Sequence, residues 1–416
     1  MSPRYLAGSV DLPYVTKAGR VVTKPGYDEE TKLYLHMPRG EEVFVPDSPT
    51  RDQVRAALAE MMAPWREYRF ADEHSAAGMV SAVIAAVERP LFAVCPAWLF
   101  EGCQQASGKT QAASSVGAVS EGDRPGVTAF SGSGPGADDE LRKRLMAEAR
   151  GGVRFVCIDN IIGHFKSSAL SSVLTSGKLQ DRILGRSQSI SVDVRSLVTL
   201  TGNNASMDAD LQRRTVQVRI DAGVNPSHRV FAFSPVNEAL RLRRRIAEAV
   251  CTVLRAYFAA GAPVVVAGDA GGFGDWNLLC RQVVLWIARE GLAEGVLPWL
   301  SLGDPAASML ADPSASDPEL ESHGDLLIAL NALSEGRPFT AAEAHKWHAA
   351  GAHDADSVSG QFRSAVIECT GKVDLSVKGL GRTFRYRRDR VVGGLKLLMC
   401  SPEGARMCLW RVVQVG

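Results

Sequence analysis

Apolar positions along the chain change their period several times, and each change marks an element. From Thr50 onward, Val54, Leu58, Met61 and Met62 fall on one helical face, predicting a helix over 51–62 with Thr50 as its N-cap. A second helix is predicted over 76–87. The apolar run 91–100 reads as a strand, and Ala112, Ala113, Val116 and Val119 then open a helix. Residues 153–158 are β-branched and aromatic and start after Gly151-Gly152, which predicts a buried strand of a parallel sheet. Residues 196–201 read as another strand, and 215–221 alternate as a strand does. The chain then turns helical over 238–260 and 276–288. Residues 301–320, rich in Pro, Asp, Ser, Gly and Ala, read as a linker. Helical spacing returns over 323–333, 340–347 and 358–369, with capping-box spacing from Thr340 to Glu343. Residues 383–386 and 390–400 follow, with Val412 in a final strand; helices before a Gly-centred hairpin predict a winged helix. Residues 1–50 read as a few short strands. Residues 121–139 read as a connection, with Asp138 or Asp139 capping a helix over 140–149.

Candidate chemistry sits at the ends of the predicted strands. Residues 103–110 read Cys-Gln-Gln-Ala-Ser-Gly-Lys-Thr. Ser107, Gly108, Lys109 and Thr110 form the end of a phosphate-binding loop, where backbone N–H groups and a helix start face phosphates. In that role Lys109 neutralises the β- and γ-phosphates, and the Thr110 hydroxyl ligates Mg²⁺. The usual pattern has Gly four residues before Gly-Lys-Thr; here Cys103 holds that position and Gly102 lies one residue earlier. Either the loop is one residue longer or Cys103 takes the bend. A bare Gly-Lys-Thr also occurs in ordinary surface turns.

Downstream residues fit the same chemistry in order. Asp159 ends the strand 153–158, where a carboxylate faces the ligand crevice of a parallel sheet and can support Mg²⁺; it can also simply cap a turn. Asn160 follows, able to orient a water but not to accept its proton, so Asp181 is a weak candidate for the base. Asn203 and Asn204 end the next strand, where an amide can sense a γ-phosphate. Arg213 and Arg214 precede the strand 215–221 and suit a finger reaching a neighbouring subunit's nucleotide, or a solvated surface pair. Lys178, Arg182 and Arg186 lie in a loop or hairpin and can meet a phosphate backbone, or form an ordinary connector.

This ordered set resembles the ATPase/helicase portion of primase–helicase replication proteins of prophages and other mobile elements. The residues that carry the resemblance are Gly-Lys-Thr, Asp159-Asn160, Leu174-Thr175-Ser176, the run 181–187, Thr201-Gly202-Asn203-Asn204 and Asp210 to Arg214. The entry segment 19–35 and the tail 380–395 are similar to that family too. The resemblance implies an α/β chain with an AAA+-like P-loop ATPase core, a helical lid, a small N-terminal α/β segment and a C-terminal winged helix. The implied boundaries are 1–90, 91–225, 226–300, a linker 301–320, and 321–416. It implies ATP and Mg²⁺ as ligands and DNA as partner, contacted in part by Arg382, Arg385, Arg387, Arg388 and Arg390. It also implies a hexameric ring. The alternative is a nucleotide-gated DNA-binding or helicase-loading factor with little turnover, which Asn160 and Cys103 favour. No acidic cluster of primase type is apparent, so a primase or replication initiator is expected to be a separate chain.

Composition narrows the class. In 416 residues, 47 basic against 46 acidic side chains give +1, so net charge alone does not argue for nucleic acid. The last 45 residues nonetheless carry ten basic against three acidic residues. A 46% hydrophobic content suits real cores, and no apolar run predicts a membrane span or secretory leader. Eight scattered cysteines without zinc spacing predict buried thiols in a cytoplasmic protein.

Overall fold

The computed structural model describes residues 5–38, 43–102, 107–129, 136–182, 189–221, 232–311, 318–354, 357–370, 372–401 and 408–415. They divide into two compact units: Met1–Ala205 with Asp210–Ala311, and Asp312–Gly416 with Ser206–Ala209.

The first unit is organised by a five-stranded sheet. Its strands are β1 (Ala97–Gly102), β2 (Thr128–Ala129), β3 (Phe155–Phe165), β4 (Leu197–Met207) and β5 (Thr215–Ile220). Their spatial order is β5-β1-β4-β3-β2. β1 runs parallel to both β4 and β5, and β2 parallel to β3. β1 is buried at all six positions, as a strand covered on both faces should be. It is shorter than the apolar run that predicted it. Residues Arg89–Leu91 form a 3-10 turn instead, because Pro90 and Pro96 each remove a ladder donor and leave β1 to begin at Ala97. The architecture is the mixed α/β type of a P-loop core.

Two helices pack on this sheet. Helix α2 follows α1 and spans Glu73–Glu88; it is buried at 14 of 16 positions, so it is apolar all round and lies inside the unit. It approaches β5 closely at Gly78, where an added Cβ would press on Val216 and Val218. The Trp98 indole N–H reaches Gly78 O at 3.2 Å and Ser81 Oγ at 3.1 Å, fastening β1 to α2. Helix α3 (Lys109–Glu121) lies beside α2 over β1 and β3. Helix α1 (Arg51–Met61) starts at Thr50 with the full capping box to Gln53, as the sequence predicts.

Helix α4 (Ala137–Gly151) is capped by Gly136 in a left-handed conformation rather than by an aspartate. Asp138 serves the next helix, α5 (Ser168–Ser176). It accepts from Ser167 Oγ at 2.5 Å, from Ser168 Oγ, and from Ala169 N at 3.4 Å. Helix α6 (Pro235–Ala259), capped by Ser234, packs against both α1 and α3. Its basic run is largely absorbed within the unit. Arg243 donates to Asp11 and to the carbonyls of Val119 and Ser120, Arg241 pairs with Glu238, and Arg245 with Glu60.

The predicted helix over 276–288 is interrupted. A π-turn, Asn277–Arg281, separates Gly274–Trp276 from the helix Gln282–Arg289. Arg281 is 2% exposed and donates to both Asp304 oxygens, at 2.9 and 2.7 Å. That pair draws in the stretch after 300, expected as part of a linker. Ala306 and Met309 are buried in the main core, and Ser308 Oγ accepts from Gln217 N.

The second unit contains α7 (Pro318–Ser334), α8 (Ala341–Ala350), α9 (Val358–Thr370) and α10 (Val377–Arg387). Its strands are β6 (Phe339–Thr340), β7 (Val391–Val392), β8 (Leu395–Met399) and β9 (Leu409–Gln414), in the spatial order β6-β9-β8-β7. Residues 383–386 lie inside α10, not in an extended segment. Their core includes Phe339, Phe362, Phe384 and Trp410. Among the described cysteines none forms a disulfide; Cys95, Cys157, Cys251 and Cys280 are buried, while Cys400 is exposed. No described helix is long and apolar enough to cross a membrane.

The Arg281–Asp304 pair yields a stability test. Asp304→Ala leaves a buried guanidinium without its counter-charge, and we expect a loss of about 3–5 kcal/mol in denaturant-unfolding free energy. A loss below 1 kcal/mol would show that the carbonyl of Gly268 and the Asn277 side chain satisfy Arg281 unaided.

Candidate functional site

Three adjacent strands of the first unit pass beside the start of α3. β1 delivers Glu101 and Gly102 at its end, while β3 and β4 run on past the strand ends expected from the sequence and deliver Asp159 and Asn160, and Thr201, Gly202 and Asn203, from within the strand. Because β4 lies between β1 and β3, Asn203 stands between the loop strand and the Asp159 strand. Residues 103–106, and with them Cys103, lie outside the described residues.

Gly102 packs against the end of the motif. A Cβ there would overlap the Ser107 side chain, so this close approach needs glycine. Gly108 then takes φ +87, and α3 begins at Lys109. The Ser107 hydroxyl is buried and has no hydrogen-bond partner among the described residues. An unpaired buried donor at a helix start fits an anionic ligand.

The loop's side chains converge with those of the strands. Lys109 Nζ donates to Asn203 Oδ1 at 2.6 Å. Thr110 Oγ1 donates to Asp159 Oδ1 at 2.9 Å, and Thr201 Oγ1 donates to the same oxygen at 2.6 Å. The Thr110–Asp159 pair is a hard-oxygen donor set of the kind Mg²⁺ uses when phosphates and waters complete its shell. Burial lowers the Lys109 pKa, opposed by the negative charges of Asp159 and Glu101.

Asn160 has an unusual backbone. Its φ is +62, a left-handed conformation inside a strand, and its N–H donates to Thr201 Oγ1 at 3.0 Å. Asparagine tolerates this region better than most side chains do. Its own side chain is exposed. Asp181, weighed as a substitute base, pairs instead with Arg142 at 2.7 Å on the hairpin Lys178–Arg182/Ser189–Asp193.

The paired arginines differ. Arg214 is 13% exposed and is held by Asp210 and by Thr175 Oγ1 at 2.8 Å, while Arg213 is 58% exposed and pairs with the same Asp210 oxygen. Burial pushes Asp210 up, but hydrogen bonds from Ser171, Arg214 and Arg213 outweigh it and hold the pKa below the ordinary value.

Other expected residues lie apart from this site or outside the described set. Lys178 pairs with Asp193 across the hairpin at 3.5 Å. The side chains of Arg182 and Asn204, and Arg186 entirely, are outside the described residues. In the second unit Arg382 and Arg385 are exposed on α10. Arg387 is buried and donates to Cys369 O at 3.2 Å, so it cannot face a ligand as expected. Arg388 is engaged with Asp389 and Met399, and Arg390 stacks on Tyr386 at 4.9 Å.

Sequence reasoning missed Thr201 and Glu101. Glu101 is buried; Ala205 N donates to it at 2.9 Å, and the Gln217 amide donates to its other oxygen. It thus ties β1 to β4 and β5 at their ligand-facing ends. The signal was present, since Glu101 is the lone acid in the apolar run 97–102.

No protein-family model matches the chain, and no curated protein matches it. Among solved structures, the apo C-terminal region of NrS-1 is similar over 94% of this chain and 83% of that one, at 10% identity and a TM-score of 0.41. SCCmec type IV Cch, described as an active helicase, is similar over 99% and 79%, at 11% identity and 0.37. JCV helicase is similar over 58% and 68%, at 16% identity and 0.26. At such identities and TM-scores, what this chain does must be argued from its own residues.

Glu101 gives a pH-dependent test. Burial raises its pKa above 4.5, with the bonds from Gln217 and Ala205 opposing. The folded state therefore holds this proton more tightly than the unfolded chain. Its contribution is fully present below the ordinary value and is lost as pH rises through the raised one. In Glu101→Gln that loss is absent, so the difference in Tm, variant minus wild type, should climb with pH above 4.5 and then level off. A difference independent of pH would show that Glu101 titrates normally.

Proposed function

We propose that the first unit is an ATP- and Mg²⁺-dependent motor acting on DNA in replication of a phage or mobile element, assembled as a hexameric ring.

 

In the ring each nucleotide is bound at the start of α3 and its site is completed by the next subunit. The observation that carries this reading is the meeting of Lys109 and Thr110, at the start of α3, with Asn203 of β4 and Asp159 of β3. Bound Mg²⁺–ATP supplies the phosphoanhydride bond whose hydrolysis drives movement.

The chain's own residues then have distinct tasks. Ser107, Gly108 and the first turn of α3 cradle phosphate oxygens. Lys109 exchanges Asn203 for a phosphate, which frees the Asn203 amide to orient a water. Thr110 and Asp159 hold the metal side of the site, with Thr201 fixing the Asp159 carboxylate. Arg213 reaches the neighbouring subunit's nucleotide, while Arg214 stays in cis as a brace on Asp210 and α5. Lys178, Arg182 and Arg186 of the hairpin, and the second unit as a winged helix, meet DNA. A primase or replication initiator acts as a separate partner.

Asn160 supports a second reading, a nucleotide-gated DNA-binding or loading factor with little turnover, because an amide takes no proton from water. ATP hydrolysis measured with and without single-stranded DNA separates the two. DNA-stimulated turnover that Lys109→Ala abolishes is the expected result; tight ATP binding without turnover would favour the second reading. Arg213→Ala should lose on the order of 10³-fold in turnover or more with an unchanged Tm. Arg214→Ala should lower Tm as well. Mixing Arg213→Ala with Lys109→Ala should restore some activity, since one interface in the mixed ring is intact. No recovery on mixing would place Arg213 outside the neighbour's site.

A further inference from the structure

The second unit holds a groove of about 460 Å³ between the first turn of α8 and one face of α10. Helix α10 buries Leu380, Phe384 and Arg387. Its opposite side carries Lys378, Arg382 and Arg385, spaced by four and three residues and therefore aligned on one face. All three are exposed and line the groove. Across from them stand Thr340, Ala341 and Ala342. Small side chains keep the groove open: a Cβ built on Gly381 would lie 3.7 Å from the Ala341 Cβ.

The groove's lining holds three cations and no carboxylate among the described residues. The capping box uses the N–H groups of Thr340 and Glu343, whose carboxylate folds back onto Thr340. The N–H groups of Ala341 and Ala342, at the first two helical positions, have no intrahelical acceptor. Trp410 belongs to the lining, is fully buried, and its indole N–H has no partner among the described residues. A helix start, an unpartnered buried donor and three aligned cations call for an anion. The cation row spans roughly 10 Å along the helix. That length suits several phosphates of one strand, which advance about 3.4 Å each along a duplex axis, rather than a single ion.

We infer that this groove seats the sugar-phosphate backbone of a DNA strand, with Lys378, Arg382 and Arg385 meeting successive phosphates and the first turn of α8 holding one of them. The inference rests on the reading that the chain acts on DNA, and it adds Lys378 and α8 while excluding Arg387. Such contacts fix position and carry no base readout.

The test uses the full-length protein without nucleotide and a labelled oligonucleotide, single-stranded or duplex, with affinity read by anisotropy between roughly 50 and 200 mM salt. Lys378→Ala and Arg382→Ala should each weaken binding and reduce the slope of log K against log salt by about 0.7 to 0.9. Ala342→Asp places a carboxylate where a helix start favours it, so Tm should hold or rise while binding falls. If the wild type binds DNA and the three groove variants match its affinity and slope, the groove is wrong while the reading of the chain stands. If the wild type binds neither oligonucleotide, or only inorganic phosphate, the inference falls with the reading it rests on.

Discussion

The candidate site depends on the burial of β1 between two parallel neighbours. A strand covered on both faces has no freedom to shift, so its end fixes where the loop begins. Glu101 makes that end rigid by accepting from Ala205 on β4 and Gln217 on β5. Gly102 then lets Ser107 approach closely, with Lys109 and Thr110 beside it at the start of α3. The position of Asn203 and Asp159 relative to Lys109 follows from strand order rather than from any local preference of those residues.

The same constraint organises charge. Burial works against the charges of Lys109 and Glu101, while Asp159 and Glu101 favour the Lys109 charge and Lys109 favours that of Glu101. Hydroxyls mediate the rest. Thr110 and Thr201 converge on one Asp159 oxygen, and Thr201 also receives the Asn160 N–H, so a single hydroxyl links two strands and the backbone. Arg214 and Arg213 divide one carboxylate unequally, which leaves one guanidinium braced and the other exposed.

Much of this was legible in the sequence because strand ends carry polar residues after apolar runs. Asp159 and Asn203 were found that way, and Lys109 and Thr110 from the phosphate-loop motif that follows an apolar run. Local signals also placed the caps at Thr50 and Thr340. What was hidden depended on tertiary neighbours. Asp138 has the look of a cap for its own helix but serves the next one, because α4 and α5 pack together. Arg387 belongs by sequence to a basic run, yet the period of α10 turns it inward. Arg281 and Asp304 meet across 23 residues, and nothing in a polar stretch after 300 announces a buried partner.

The left-handed backbone of Asn160 has a consequence for how this site could change over generations. A glutamate put at that position would meet a conformation that costs a longer side chain about 1 kcal/mol or more, and the exposed direction of the present side chain would carry the carboxylate toward solvent. A base placed there would therefore sit on a strained backbone unless that conformation relaxed, and with it the N–H that Thr201 now receives. The backbone acts as a ratchet, keeping the chain on whichever chemistry an amide permits.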